Sequence, residues 1–288
     1  MKKSLVKSFV SILLVCLCTI QVEAKNVIKI LAIGNSFSED AVENYLYDLA
    51  KASGDSLVIG NVYIGGCSLE RHWSNASSNA AEYSYRKVVG GKKTVTEKQT
   101  LAFCIEDEPW DYISFQQVSQ NSGMYNTYFP FLTDLMKYVK GKATNPRVKF
   151  VLHQTWAYAS NSTHSGFANY NRNQNEMYQA IVSTTGKVMK TVPSFKFIIP
   201  SGTAIQNART TDIGDHFNRD GYHLELNYGR YTAACTWLEA ITGKSPVGNS
   251  YVPPAIDKAT ARIAQYAAHY AIKHPYKVTS MTSFSRAQ

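Results

Sequence analysis

Long apolar runs are rare in this 288-residue chain, and beyond residue 24 none is long enough to span a bilayer as a helix. Stable membrane insertion of that kind is therefore not expected. Neither His-Glu-x-x-His, paired Cys-x-x-Cys nor calcium-loop spacing occurs, which argues against a metal centre. No Walker loop and no Gly-x-Gly-x-x-Gly follows a predicted strand, so no nucleotide cofactor is expected, and no other cofactor is called for. Cysteine is also scarce. Cys67, Cys104 and Cys235 are the ones left beyond the N-terminal segment, an odd number that fits no disulfide framework. They read as three small buried apolar residues. Internal repeats, low-complexity tracts and domain-separating linkers are missing as well.

The first segment that is present does not belong to a fold. Lys2, Lys3 and Lys7 form a positive region, Phe9 to Ile20 is apolar but too short for a membrane span, and Val22-Glu23-Ala24 has signal-peptidase spacing. Residues 1–24 read as a cleaved export signal, giving a secreted or periplasmic product. A lipoprotein is the weaker alternative, because Val15 and Leu17 precede Cys16 and Cys18 where a lipobox needs a small residue. Without this segment the formal charge falls from +9 to +7. The basic residues are scattered, with no arginine-rich run, so nucleic acid is not an expected partner. Residues 25–288 are long enough for one α/β domain with a substantial core.

The pattern along that domain alternates. Val27 to Ile33 is nearly continuous apolar sequence ending at Gly34, as in a strand buried on both faces. Further strands are predicted at Leu57 to Ile64, Asp111 to Gln116, Val148 to Leu152 and Phe195 to Ile199. Helical spacing lies between and after them, over Asp40 to Gly54, Tyr128–Lys140, Asn169–Val192, Leu226–Thr242 and Asp257–Lys273. This order predicts a three-layer α/β/α sandwich around a central parallel sheet of about five strands. Residues 83–97, with Gly90-Gly91 in the middle, predict a β-hairpin excursion near the site. Ligands of such sheets bind beyond the carboxyl ends of the strands, where Gly34-Asn35-Ser36, Gly65-Gly66, Gln116-Gln117, His153-Gln154 and Ser201-Gly202 fall.

Two of these places carry complementary chemistry. Ser36 leaves a strand through a glycine and enters a helix, so its hydroxyl is exposed beside backbone N–H groups that can face an oxyanion. A helix cap supplied by Ser38 is the structural alternative. Asp220-Gly221-Tyr222-His223 sets a carboxylate three residues before an imidazole, so Asp220 can hold Nδ1–H and leave Nε2 as a base. The serine lacks a base and the histidine lacks a nucleophile, so each segment supplies what the other needs. His216, in Asp212-x-x-Asp215-His216, is a weaker candidate base.

Gly34-Asn35-Ser36 after the first strand, a glycine after the second, and Asp220-Gly221-Tyr222-His223-Leu224-Glu225-Leu226-Asn227-Tyr228-Gly229 before a late helix resemble the SGNH, or GDSL-like, hydrolases. By order of elements the resemblance covers the whole mature chain, and it is sharp in the first and last blocks. It implies a flavodoxin-like fold and a serine esterase with Ser36 as nucleophile, His223 as base and Asp220 as orienting acid. The oxyanion donors would be Ser36, Gly66 or Gly65, with Gly66 favoured, and an amide side chain. Two departures stand out. Asn35 replaces the usual aspartate, and no Gly-x-Asn follows the third strand, where Gln117 or Gln120 must stand in; Gln117, nearer the strand end, is favoured.

Several aromatics and amides accompany this core. Trp156, Gln154 and Tyr158 are read as substrate-binding, with Trp73 and Tyr125 as further candidates and His153 and His72 as supports. Taken together with the resemblance and the export signal, they imply removal of O-acetyl or similar esters from a polysaccharide or glycan. The alternatives are a lipase or thioesterase, and a non-catalytic glycan-binding protein on the same scaffold. The sequence leaves the oligomeric state open.

Overall fold

The computed structural model describes residues 27–285, so the expected export segment lies outside the described residues. Among those residues seven strands form one sheet: β1 (Val27–Gly34), β2 (Ser56–Tyr63), β3 (Tyr83–Val89), β4 (Lys92–Gln99), β5 (Tyr112–Phe115), β6 (Lys149–His153) and β7 (Phe195–Ile199). Their order is β4-β3-β2-β1-β5-β6-β7. The pairs β2–β1, β1–β5, β5–β6 and β6–β7 are parallel. Numbered among themselves, these five run 2-1-3-4-5, the flavodoxin-like order, whose switch point lies between β1 and β5. Ser36 stands at that switch.

The apolar run of β1 is explained by its two covered faces. Ile30 and Ala32 enter one core and Leu31 and Ile33 the other, as a period of two requires. The first core packs against α1 (Ser36–Val42), α2 (Leu46–Ala52), α6 (Gln174–Thr191), α7 (Ser201–Ala208), α8 (Tyr228–Thr242) and α9 (Lys258–Lys273). The second packs against α3 (Leu69–Ser77), α4 (Leu101–Glu106) and α5 (Phe131–Lys142).

Three expectations need correction. The hairpin does turn at Gly90-Gly91, but it is no excursion: β3 pairs antiparallel with β2, so the hairpin extends the sheet to seven strands. The helix expected from Asp40 to Gly54 is two short helices. Asn44 Nδ2 donates to the Glu39 carbonyl at 3.3 Å, giving the backbone a side-chain partner where the helix stops. Helices α3, α4 and α7 were not expected. Cys67, Cys104 and Cys235 are unpaired and buried, as expected.

Candidate active site

The turn from β1 into α1 sets the serine. Asn35 is in extended conformation and its Oδ1 accepts the Phe37 N–H at 2.9 Å, so Asn35, not Ser38, is the cap of α1. A Cβ on Gly34 would collide with Ser38 Oγ, which explains the glycine. Ser36 becomes the first residue of the helix. Its Oγ lies 2.8 Å from His223 Nε2, and His223 Nδ1 lies 2.6 Å from Asp220 Oδ2. Asp220 Oδ1 also accepts the backbone N–H groups of His223 (2.8 Å) and Tyr222 (3.2 Å). Burial pushes the Asp220 carboxyl upward, but these hydrogen bonds from His223 and Tyr222 outweigh it and hold its pKa below the ordinary carboxylate value. An ionised Asp220 therefore fixes the proton on Nδ1 and leaves Nε2 as acceptor for the Ser36 hydroxyl.

The two segments stay in register through Asp40, a residue the sequence reading used only as part of a helix. It lies in α1, four residues after Ser36, with its side chain fully buried. Its carboxylate accepts the Leu224 N–H at 2.8 Å, Arg219 Nη1 at 2.9 and 3.1 Å, and Arg230 Nε and Nη2 at 2.8 Å. Arg219 Nη1 also donates to the Leu224 carbonyl. One carboxylate on the serine helix thus grips the loop that carries the histidine.

Below the site runs a row of buried side chains whose hydrogen positions are forced. Asn35 Oδ1 faces a backbone N–H and its Nδ2 faces the Cys67 carbonyl at 3.0 Å, which fixes the amide orientation. Gln116 Nε2 must then donate to Asn35 Oδ1 (2.9 Å), leaving Gln116 Oε1 to accept from His153 Nδ1 (2.8 Å). His153 Nε2 is the remaining acceptor, for Ser201 Oγ at 3.0 Å. Complete burial drives the His153 pKa down to about 3, so it stays neutral. The substitution of Asn35 for the usual aspartate has a reason here, because a carboxylate could not donate to Cys67.

The cleft over Ser36 has a volume of about 380 Å³ and is lined by Gly65, Gly66, Gln120, His164, Tyr222 and Arg219, among others. Gly66 has φ +64°, a conformation that a glycine adopts without strain. Cys67 spends its N–H on the Ile64 carbonyl (3.2 Å), whereas among the described residues no acceptor takes the Ser36 or Gly66 N–H. The hairpin supports one wall, with the Arg86 guanidinium 3.5 Å from the Tyr63 ring centroid and 3.2 Å from Glu39. Among the described residues no cluster of His, Cys, Asp or Glu could hold a metal ion.

Gln117 is not in the cleft. Its Oε1 accepts the N–H groups of Leu69 and Val118, and its Nε2 donates to the Thr127 carbonyl and hydroxyl at 2.8 and 3.1 Å. It pins the start of α3 to the loop after β5. Gln120, carried forward by the 3-10 turn Ser119–Asn121, is the glutamine that reaches the cleft.

The three residues read as substrate-binding are also misplaced, each with 0% exposure. Trp156 stacks on Phe37 with ring centroids 4.3 Å apart and donates to the Tyr222 carbonyl at 2.8 Å, bracing both segments from beneath. Gln154 Oε1 accepts the Thr203 N–H and hydroxyl. Tyr158 shares a 2.7 Å hydrogen bond with Ser119. The chain leaving β6 dives under the site instead of crossing it. His72 is buried against Tyr83, and Trp73 and Tyr125 lie outside the cleft lining. His164 and Arg219 line the cleft and were not anticipated; the polar run Asn161-Ser162-Thr163-His164 after β6 was the available signal for the first.

A family model described as a domain of unknown function, DUF4886, matches residues 29–271. The crystal structure of a DUF4886 family protein from Bacteroides uniformis is 53% identical, with 90% of this chain and 100% of that chain covered and a TM-score of 0.88. A carbohydrate esterase family 3 from Talaromyces cellulolyticus is 12% identical, with 75% and 97% covered and a TM-score of 0.48. An acetyl-xylooligosaccharide esterase mutant from Geobacillus is 12% identical, with 78% and 96% covered and a TM-score of 0.44. No curated protein matches the chain. The family match runs from the first strand into the last helix, and the Bacteroides uniformis relative is more than half identical. The chain belongs to the DUF4886 family.

Proposed function

We propose that the chain is a serine esterase, secreted by way of the segment read as an export signal, that removes acetyl or a similarly short acyl group from a carbohydrate. The observation that carries this reading is the continuous contact from Ser36 Oγ to His223 Nε2 to Asp220 Oδ2, at 2.8 and 2.6 Å, facing an open cleft. Ser36 Oγ bonds to the ester carbonyl carbon as its proton passes to His223 Nε2. The oxyanion faces the N–H groups of Ser36 and Gly66 and the amide of Gln120. As the carbon–oxygen bond to the alcohol breaks, the alkoxide takes the proton from His223. A water then attacks the acyl-enzyme, giving its proton to His223, and Ser36 leaves reprotonated with release of the acid.

The charged and polar side chains that share the cleft lining, Glu39, Gln120, His164 and Arg219, favour a short acyl group and a hydroxylated alcohol over a long acyl chain. A series of 4-nitrophenyl esters tests this: kcat/KM should be highest for acetate and fall steeply towards octanoate. The reverse order would replace the proposal with the lipase or thioesterase reading. The acid limb of the pH profile of kcat/KM should have a slope of one. Asp220, held below the ordinary carboxylate pKa, remains ionised there. An acid limb of slope two would show that the carboxylate titrates as well.

Gln120→Ala should cost roughly 10²–10³ in kcat, the usual effect of removing one oxyanion donor. Gln117→Ala should instead lower the unfolding midpoint, because the start of α3 and the loop after β5 lose their shared partner. Rates measured below both midpoints separate the two. Equal rates for Gln120→Ala and wild type would remove Gln120 from the oxyanion site.

A further inference from the structure

The alcohol half of the substrate has no assigned partner in the reading above, on which this inference rests. Two groups in the cleft are unspent. His164 Nδ1 accepts the Gly166 backbone N–H at 3.0 Å. A backbone N–H can only donate, so Nδ1 carries no hydrogen and the neutral ring carries it on Nε2. Nε2 has no partner among the described residues. Protonating Nδ1 would set two donors face to face, and burial together with the nearby His223 holds the His164 pKa below the ordinary imidazole value, Asp220 opposing. His164 is thus a neutral, tautomer-fixed donor.

The second group is Tyr222, whose hydroxyl is likewise unpaired among the described residues. Its ring centroid lies 4.9 Å from that of His164 and 4.2 Å from that of His223. Tyr158 packs against both rings, its centroid 4.9 Å from that of His164 and 5.8 Å from that of Tyr222, and its hydroxyl is already held by Ser119. The loop is further fixed to the histidine segment by the Ala159 N–H donating to the Gly221 carbonyl at 2.8 Å. These contacts place the pair on the flank of His223, the residue that hands its proton to the leaving oxygen. A leaving alcohol would therefore pass beside His164 and Tyr222.

We infer that His164 Nε2–H and the Tyr222 hydroxyl form an alcohol-side subsite that recognises the hydroxyl or ring oxygens of a neutral sugar next to the ester. Neither group is charged, so a polyhydroxylated alcohol matches them better than an acidic or a purely apolar one. A half-buried donor that meets a hydroxyl discriminates against alcohols lacking it, because the donor then stays unpaired.

The test compares an acetylated xylo-oligosaccharide with 4-nitrophenyl acetate, whose aryl alcohol offers no hydroxyl to read. For His164→Phe and Tyr222→Phe the ratio of the two kcat/KM values should shift at least about tenfold against the sugar ester, mainly through KM. His164→Gln, which keeps an N–H donor, should recover part of the loss. Equal losses on both substrates, or an unchanged ratio, would overturn the subsite while leaving the esterase reading intact. A wild-type protein that hydrolyses neither substrate would overturn both. Tyr222→Phe removes a single oxygen, so it still decides the matter if His164→Phe does not fold.

Discussion

Ser36→Ala is expected to lower kcat on 4-nitrophenyl acetate by roughly 10⁴–10⁶-fold, with stability within about 0.5 kcal/mol of wild type. The loss is large because attack, proton transfer and acyl-enzyme formation all pass through one oxygen. The fold should be indifferent, since among the described residues the Ser36 hydroxyl has one side-chain partner, His223 Nε2. Adding His223→Ala to Ser36→Ala should cost almost nothing further, because the base has no role once its nucleophile is gone. Asp220→Asn should cost about 10⁴-fold in kcat: the amide can present its N–H to Nδ1 and stabilise the tautomer with the hydrogen on Nε2. Stopped assays of purified variants, with unfolding midpoints recorded alongside, decide this. Unchanged turnover in Ser36→Ala would place the chemistry elsewhere. Equal, negligible turnover in wild type and variant, with glycan binding retained, would favour the non-catalytic binding protein.

Asp40→Ala is expected to be the most damaging substitution that touches none of the reacting atoms. Removing the fully buried carboxylate takes from Arg219, Arg230 and the Leu224 N–H the acceptor they share. Breaking a buried pair by removing one partner typically costs about 3–5 kcal/mol. Asp40→Asn should recover little, because its amide nitrogen would confront donors. The informative variant is Asp40→Ala combined with Arg219→Met and Arg230→Met. Removing the stranded charges should restore part of the unfolding midpoint, whereas kcat should stay low, because the carboxylate that ties Leu224 and its neighbour His223 to the serine helix is still missing. A triple variant that regains both would mean that the loop holds its position unaided.

Local chemistry was legible in the sequence wherever one short segment decides the outcome. The nearly continuous apolar run of β1, the Gly90-Gly91 turn and the Asp220 to His223 spacing each specify their own geometry. What could not be read is the direction a side chain takes once the chain leaves a strand. Gln117 and Gln120 are the same residue type three positions apart. The bend at Val118 into a 3-10 turn buries the first and delivers the second to the cleft. Trp156 and Tyr158 have the chemistry of sugar platforms, yet a ring that could stack on a pyranose packs equally well on Phe37 or Phe167. Asp40 read only as part of a helix because its partners lie about 180 residues away.

The polar row beneath the cleft bears on any attempt to transplant the site. Ser201, His153, Gln116, Asn35 and the Cys67 carbonyl stand at or just beyond the carboxyl ends of β7, β6, β5, β1 and β2, and every hydrogen in the row points the same way. A donor scaffold given only the serine turn and the histidine loop would inherit an Asn35 with no Gln116 to orient it. The smallest portable unit is therefore the ends of five neighbouring strands. Homologues that differ at one position of the row are expected to differ at the next as well.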